Sequence, residues 1–252
     1  MKISIIIPTY NSDHYLTEVL ESIRRQNYKN VEVLIADGGS TDRTLQIAQP
    51  YDFVRVVSTK DNGQTDGINR AYHFVTGDIV AWQNSDDIYS IDCFAKIAEA
   101  FTNDSVDIVY GDYSLIDGNG VVIRKCKSFI WNPVKFKTGR FVPLQPTVFW
   151  RKKVSDSIFP LNEKLYYCMD VDLFAKAHNK GFQFLYIQKE LGSFRIHVRG
   201  KTSQYVDVLK VLKEHARTLR SNYSFSLIER IALFKNLARI FLGKLYLNFK
   251  NA

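Results

Sequence analysis

Four short apolar runs, each stopping in polar residues and each followed by a stretch of different period, constrain the fold of this chain more than any other feature. Ile3 to Ile7 gives way to the turn Pro8 Thr9 Tyr10 Asn11. Leu16, Val19, Leu20 and Ile23 then recur at the i, i+3, i+4, i+7 spacing of a helix that Asp13 can cap. Val31 to Ala36 ends in Asp37 Gly38 Gly39 Ser40 Thr41 Asp42 and leads into a short helix at Thr44 to Ala48. Phe53 to Val57 precedes a helix expected from Gln64 to Thr76, closed by Gly77, and Asp78 to Trp82 stops at Asn84 Ser85 Asp86 Asp87. Runs that are apolar on both sides of the pleat suit strands covered on both faces. The alternation therefore predicts an α/β fold with a mixed, mostly parallel sheet, right-handed crossovers and helices on both faces.

Ligands of such sheets bind beyond the carboxyl ends of the strands, which is where Asp37, Asp86 and Asp87 fall. Two adjacent carboxylates repel, and a bound cation is one way to keep both ionised. The same residues also suit capping of a helix that begins near Ile91. Gly38 and Gly39 let backbone approach a ligand closely. No GxGxxG follows the first strand and no GxxxxGK[ST] occurs, so dinucleotide and P-loop readings lose their main support.

Beyond residue 100 the rhythm changes. Asp107 to Ile116 and Val121 to Lys125, joined by Asp117 Gly118 Asn119 Gly120, read as a hairpin. Residues 126 to 145 are aperiodic and are expected to form a loop or lid, with Gln145 a candidate contact. Thr147 to Trp150 reads as a strand, Asp172 to Lys180 as a helix stopped by Gly181, and Phe182 to Ile187 as another strand. Tyr72, Trp82 and Tyr89 read as packing residues.

Of the net charge of +8, residues 205 to 252 carry +6, with nine Lys or Arg against Asp207, Glu214 and Glu229. Leu227, Ile231, Phe234, Ala238, Phe241 and Leu245 recur every three or four residues there, the pattern of an amphipathic helix too interrupted by charge to span a bilayer. That face suits either an anionic membrane surface or packing against protein. The expected division is residues 1–204 as one domain and 205–252 as a basic helical tail. Pro8 ends the first apolar run too early for a secretory core, and the three cysteines, Cys93, Cys126 and Cys168, are isolated. A cytoplasmic location is expected, peripheral on the inner face of the cell membrane if the tail binds lipid.

Ile5 Ile6 Ile7 Pro8 Thr9 Tyr10 Asn11, then Asp37 to Asp42, Asp61 Asn62 Gly63 Gln64 to Asn69, and Gly77 Asp78 Ile79 with Asn84 to Asp87, resemble in order and spacing the signature of family 2 glycosyltransferases with the GT-A fold. Cys168 Met169 Asp170 Val171 Asp172 Leu173 resembles the family's E-D-x-D-L segment, and Phe194 Arg195 Ile196 His197 a late basic and histidine motif. The resemblance runs from Lys2 to about Ser203. It implies an inverting hexosyl transfer from a nucleotide-diphosphate sugar, a UDP-sugar in the first instance, to a hydroxyl of a saccharide or lipid-linked acceptor in cell-surface polysaccharide or glycolipid assembly. No nucleic-acid partner is implied. Thr9, Tyr10, Asn11, Asp37, Asp61, Gln64, Asn69, Asn84, Ser85, Asp86 and Arg199 would bind the nucleotide sugar, Asp86, Asp87 and His197 would hold Mg or Mn, and Asp170 would act as base. Asn84 stands where the family usually has Asp, and Met169 where it has Glu. A sugar nucleotidyltransferase, or a nucleotide-sugar-binding protein without turnover, are the alternatives. The first would be expected to carry a basic Gly-rich loop after its first strand, which Pro8 to Ser12 is not.

Overall fold

The structure is a computed structural model that describes residues 1–58, 60–201 and 205–250. Along the chain run β1 (Ile3–Thr9), α1 (Leu16–Arg24), β2 (Val31–Asp37), α2 (Thr44–Ala48), β3 (Val54–Ser58), α3 (Gln64–Tyr72), β4 (Ile79–Trp82), β5 (Ile88–Tyr89) and α4 (Cys93–Ala100). They are followed by β6 (Ile108–Ile116), β7 (Val122–Cys126), α5 (Pro133–Lys137), β8 (Phe149–Arg151), α6 (Lys152–Ile158), α7 (Met169–Asn179), β9 (Phe184–Arg195), α8 (Tyr205–Asn222) and α9 (Leu227–Lys250). One sheet carries the strands in the order β3-β2-β1-β4-β8-β6-β9-β5, with β7 paired to β6. The four amino-terminal strands are mutually parallel, β8 runs antiparallel to β4 and β6, and β9 is parallel to β6. β1 is flanked by β2 and β4, so the chain leaves it in one direction and returns on the other side. That switch opens a crevice at the strand ends.

Strand alternation decides which core each residue joins. Ile3, Ile5 and Ile7 of β1 pack with Leu16, Val19, Leu20 and Ile23 of α1 and with Phe94 and Ile97 of α4, whereas Ile6 points to the opposite face, toward Ile68 of α3 and Phe174 of α7. Trp82 and Tyr89 are buried, in keeping with their packing role.

Several boundaries differ from the sequence reading. α3 ends at Tyr72, and Gly77 is no helix stop. A Cβ at Gly77 would lie 2.6 Å from Ser4 Oγ and 2.7 Å from the Lys2 carbonyl oxygen, so glycine is needed there for close passage beside β1. The expected lid is a packed segment: Phe136 and Phe141 are buried, and Trp131 stacks on Phe184 with centroids 3.7 Å apart. α7 starts at Met169, three residues earlier than its periodicity suggests, and β9 continues to Arg195.

The carboxy-terminal region forms two helices. Leu219 of α8 and Leu233 and Leu237 of α9 join the same core as α7. Leu227, Ile231 and Phe234, the face visible in the sequence, point outward, while the side chains of Phe241 and Leu245 and the expected boundary at 204 lie outside the described residues. Among the described residues no helix is long and apolar enough to cross a membrane.

Candidate active site

The first wall of the crevice stands on β1 and β2, whose last residues, Thr9 and Asp37, are register partners. Thr9 Oγ1 donates to Asp37 Oδ1 at 3.0 Å, and Asp37 Oδ2 accepts from the backbone N–H groups of Gly39 and Ser40. Burial alone would raise the Asp37 pKa, but the hydrogen bonds from Ser40, Thr9 and Gly39 outweigh it and hold the carboxyl below its ordinary range. Asn11 adopts a left-handed conformation (φ 47°), which Asn tolerates better than most residues. Its N–H donates to Ser40 Oγ at 2.9 Å and its Oδ1 accepts from Thr41 N at 2.9 Å, tying the two loops together. Tyr10 beside it is 67% exposed, a free aromatic face at the crevice mouth. The Asp61 carboxylate sits between Gly38 and Gly67: a Cβ at either would come within 2.8 Å of Asp61 Oδ2.

The second wall is the loop after β4. Asn84 is its hub, donating from Nδ2 to Asp87 Oδ2 and to Gln145 Oε1, each at 3.0 Å, and accepting at Oδ1 from Gln64 Nε2 at 3.2 Å. Gln145 in turn donates to the Trp82 carbonyl oxygen, so it supports Asn84 from within. Ser85 Oγ bonds Ser12 Oγ across to the first wall. Asp86 points outward, its side chain 30% exposed, with Oδ2 2.9 Å from His197 Nε2. Asp87 points inward, 1% exposed, and accepts from Arg195 N at 2.9 Å. Burial, with the Asp86 charge adding to it, pushes the Asp87 pKa up to about 8.

This geometry separates residues that the sequence groups together. Asp87 is occupied by Arg195 and Asn84, so the outward pair is Asp86 and His197. Two cis ligands of an octahedral ion with bonds of about 2.1 Å lie about 3 Å apart. The 2.9 Å between His197 Nε2 and Asp86 Oδ2 fits such a pair. Among the described residues no group of three or more His, Cys, Asp or Glu could hold an ion, so an ion here needs oxygens from its ligand as well. Asn69 is not open to a ligand: its Oδ1 accepts from Leu161 N at 2.7 Å and its Nδ2 donates to Leu161 O at 3.0 Å. Arg199 lines an open cavity against α8.

The third wall joins the start of α7 to the segment after β9. Asp170 is half-buried, and burial pushes its pKa up to about 6 against the opposing pull of the Val171 N–H and the Lys201 charge. Asp172 lies on another side of the helix, accepting from Asn222 Nδ2 at 2.8 Å and pairing with Lys176 at 2.7 Å. Met169, where the related pattern has an acid, is buried with its sulfur accepting from Thr65 Oγ1 at 3.3 Å. Lys201 Nζ donates to Gln64 Oε1 at 2.8 Å, so a continuous hydrogen-bonded chain runs Lys201, Gln64, Asn84, Asp87.

Arg195 is the residue whose importance sequence reasoning missed. It is 2% exposed, donates from Nε to the Asp86 carbonyl oxygen at 2.9 Å and from Nη1 to Gly118 O at 3.2 Å, pairs with Glu18 at 2.6 Å, and lies 4.4 Å over the Tyr15 ring. It stitches the acidic loop to α1 and the β6–β7 turn. Its place beside His197 in the sequence was the available signal.

Residues 4–150 match the family described as Glycosyl transferase family 2. An uncharacterized glycosyltransferase of Nostoc sp. is 29% identical over 175 residues, 64% of this chain and 54% of that protein, so the chain spans about half the length of this relative. Staphylococcus aureus TarS (residues 1–349), solved in complex with UDP-GlcNAc, superposes with a TM-score of 0.70 at 24% identity, covering 96% of this chain and 73% of that one. The mannosyltransferase PcManGT of Pyrobaculum calidifontis, solved with GDP-Man and Mn2+, superposes with a TM-score of 0.61 at 16% identity, covering 99% and 83%. At these identities the two likenesses establish the GT-A-like fold.

Proposed function

The chain belongs to glycosyltransferase family 2, and from that premise we propose that it transfers a hexosyl group, with inversion, from a nucleotide-diphosphate sugar to an acceptor hydroxyl. The observation that carries this reading is the partly exposed Asp86–His197 pair in the loop after β4, which Ser85 ties to the Thr9–Asp37 wall through Ser12. UDP-GlcNAc and GDP-Man in the structural neighbours support a nucleotide-sugar donor. In this reading Thr9, Asn11, Asp37 and Asp61 shape the nucleoside side, Tyr10 covers the base, and Asn84 faces the ribose with the second lone pair of its Oδ1, its Nδ2 being spent on Asp87 and Gln145. Residues 1–204 are the catalytic unit and 205–252 a basic extension whose helices α8 and α9 pack on it through Leu219, Leu233 and Leu237.

Asp86 and His197 would hold Mg or Mn together with diphosphate oxygens, and the Mn2+ bound in PcManGT supports that assignment. When bound, the ion would neutralise charge on the leaving diphosphate. Asp170 takes the acceptor proton. A carboxyl with its pKa raised to about 6 is a better proton acceptor than an ordinary one and is still ionised at neutral pH. Asp172 is unsuited to the task, because Lys176 and Asn222 occupy it.

The test is hydrolysis and transfer with a panel of sugar nucleotides, with Mn2+ added or chelated. At least one donor should turn over, and Asp86→Ala should weaken Mn2+-dependent nucleotide binding and turnover together. Full activity in excess chelator would sink the metal assignment. Nucleotide binding without turnover of any donor would sink the enzymatic one, and would favour a binding protein that keeps the fold.

A further inference from the structure

The chain after β9 and α8 border an open cavity of about 640 Å³. Arg199, which the resemblance gives to the nucleotide sugar, and Lys201, which bonds Gln64, lie on its near side, and Lys210, Lys213 and Arg217 of α8, which the donor reading does not use, form the other. Five of its described lining residues are basic, Arg199, Lys201, Lys210, Lys213 and Arg217, and one, Glu214, is acidic. Glu214 spends its carboxylate on the wall itself, accepting from the backbone N–H groups of Tyr166, Tyr167 and Cys168 at 3.1, 2.6 and 2.8 Å. Lys201 lies 3.8 Å over the Tyr166 ring, which fixes its ammonium at the rim. A concave surface of this charge focuses a positive potential, and Arg with Lys at several angles suits the oxygens of a phosphate better than a single carboxylate.

The cavity also lies on the side of the proposed base. Lys201 and Glu214, both in its lining, are the charged groups whose fields act on Asp170. Lys201 further reaches Gln64 and through it the acidic loop. Tyr166 and Tyr167 of its lining lead directly into the start of α7, which carries Asp170, so an anion held here lies on that side of the crevice.

We propose that the cavity between the 198–201 segment and α8 binds a phosphate group of the acceptor substrate, so that the acceptor is a phosphorylated polyol, sugar or lipid. The assignment of the anion to the acceptor rests on the glycosyltransferase reading above. The phosphate has two sources, a soluble phosphate ester or a lipid headgroup, and the same chemistry recognises both.

The test is calorimetry on the full chain with three probes: glycerol 3-phosphate, monomeric dihexanoylphosphatidic acid, and UDP with Mn2+. The Lys213→Gln/Arg217→Gln double variant alters two exposed side chains of α8. It should weaken phosphate-ester binding roughly tenfold or more and leave UDP binding unchanged. Equal affinity for the two esters would identify a soluble acceptor, and much tighter binding of the lipid a lipid-linked one. The proposal is overturned if neither ester binds, if binding survives the double variant, or if UDP displaces the ester, since the cations would then belong to the donor diphosphate. If UDP does not bind the unaltered chain, the donor reading and the acceptor assignment fall together, even where the ester still binds.

Discussion

Asp170 and Asp172 stand two positions apart on α7, and their surroundings divide their tasks. About 100° of turn per residue sends the two side chains apart. Asp172 meets Lys176 and Asn222 and holds α7 to α8, whereas Asp170 is desolvated and accepts from the backbone N–H of Val171. In the proposed mechanism Asp170→Asn keeps that acceptor oxygen and loses the base, so transfer should fall by roughly 10²-fold or more with nucleotide binding intact. The pH dependence follows from the sign of the shift. A carboxyl raised from 3.8 to about 6 is deprotonated only above that value, so transfer should decline as pH falls through 6. A raised pKa also means that the folded state binds the proton more tightly than the unfolded chain. Asp170 therefore adds stability as pH falls below about 6 and costs some at neutral pH. Thermal melting of Asp170→Asn at pH 7.5, a condition chosen well above that pKa (~1.5 units), should give a midpoint equal to or above that of the unaltered chain. A large loss of melting temperature would make Asp170 a structural residue instead.

At the scale of elements, the acidic loop is held by the end of β9 more than by its own strand. β4 is four residues long, and the loop after it is braced by the Arg195 N–H on Asp87, the Arg195 guanidinium on the Asp86 carbonyl, and His197 on the Asp86 carboxylate. Because Arg195 is buried, removing its side chain leaves the Asp86 and Gly118 carbonyl oxygens without their donor and Glu18 without its partner. Arg195→Met should destabilise the fold by about 3 kcal/mol in urea titration and weaken nucleotide binding. Arg195→Lys should recover little of either, since an ammonium cannot reach three elements at once. Recovery of both by Lys would mean that charge alone, and not the guanidinium fork, braces the loop.

At the scale of the whole molecule, α9 is apolar on two sides. Leu233 and Leu237 are buried against the domain, while Leu227, Ile228 and Phe234 are 73, 79 and 72% exposed. With Arg230, Lys235 and Arg239 on the same helix, the outward face suits an anionic lipid surface, where a lipid-linked acceptor would also lie. Truncation before α8 is a poor test, because it strips Leu219, Leu233 and Leu237 from the core. Ile228→Ser/Phe234→Ser should leave melting unchanged and abolish flotation of the full chain with phosphatidylglycerol vesicles. A chain that does not float but is a dimer, split to monomers by the same pair of changes, would assign the face to a second copy.

Much of this protein was legible in the sequence because the forces involved are local or periodic. The alternation of apolar runs and helical spacings dictated a parallel sheet with two covered faces, since each strand must bury whichever side its pleat presents. The positions of Asp37 and Asp86 at strand ends followed from the same rule, as did the short polar loops that carry them. Tertiary structure alone decided the rest. Asp86 and Asp87 are neighbours of the same chemical type, and only the approach of Arg195, 108 positions from Asp87, turns one inward and leaves the other pointing outward. Asn69 reads as a binding residue until Leu161, 92 positions away, takes both ends of its amide. Leu227, Ile231 and Phe234 of the apolar repeat that the sequence displays most clearly are left exposed, because the contact with the domain is made by Leu233 and Leu237, which fall outside that repeat. Partners brought together by the fold at large separation leave no periodic trace, so burial and pairing at this site could be read only from the folded chain.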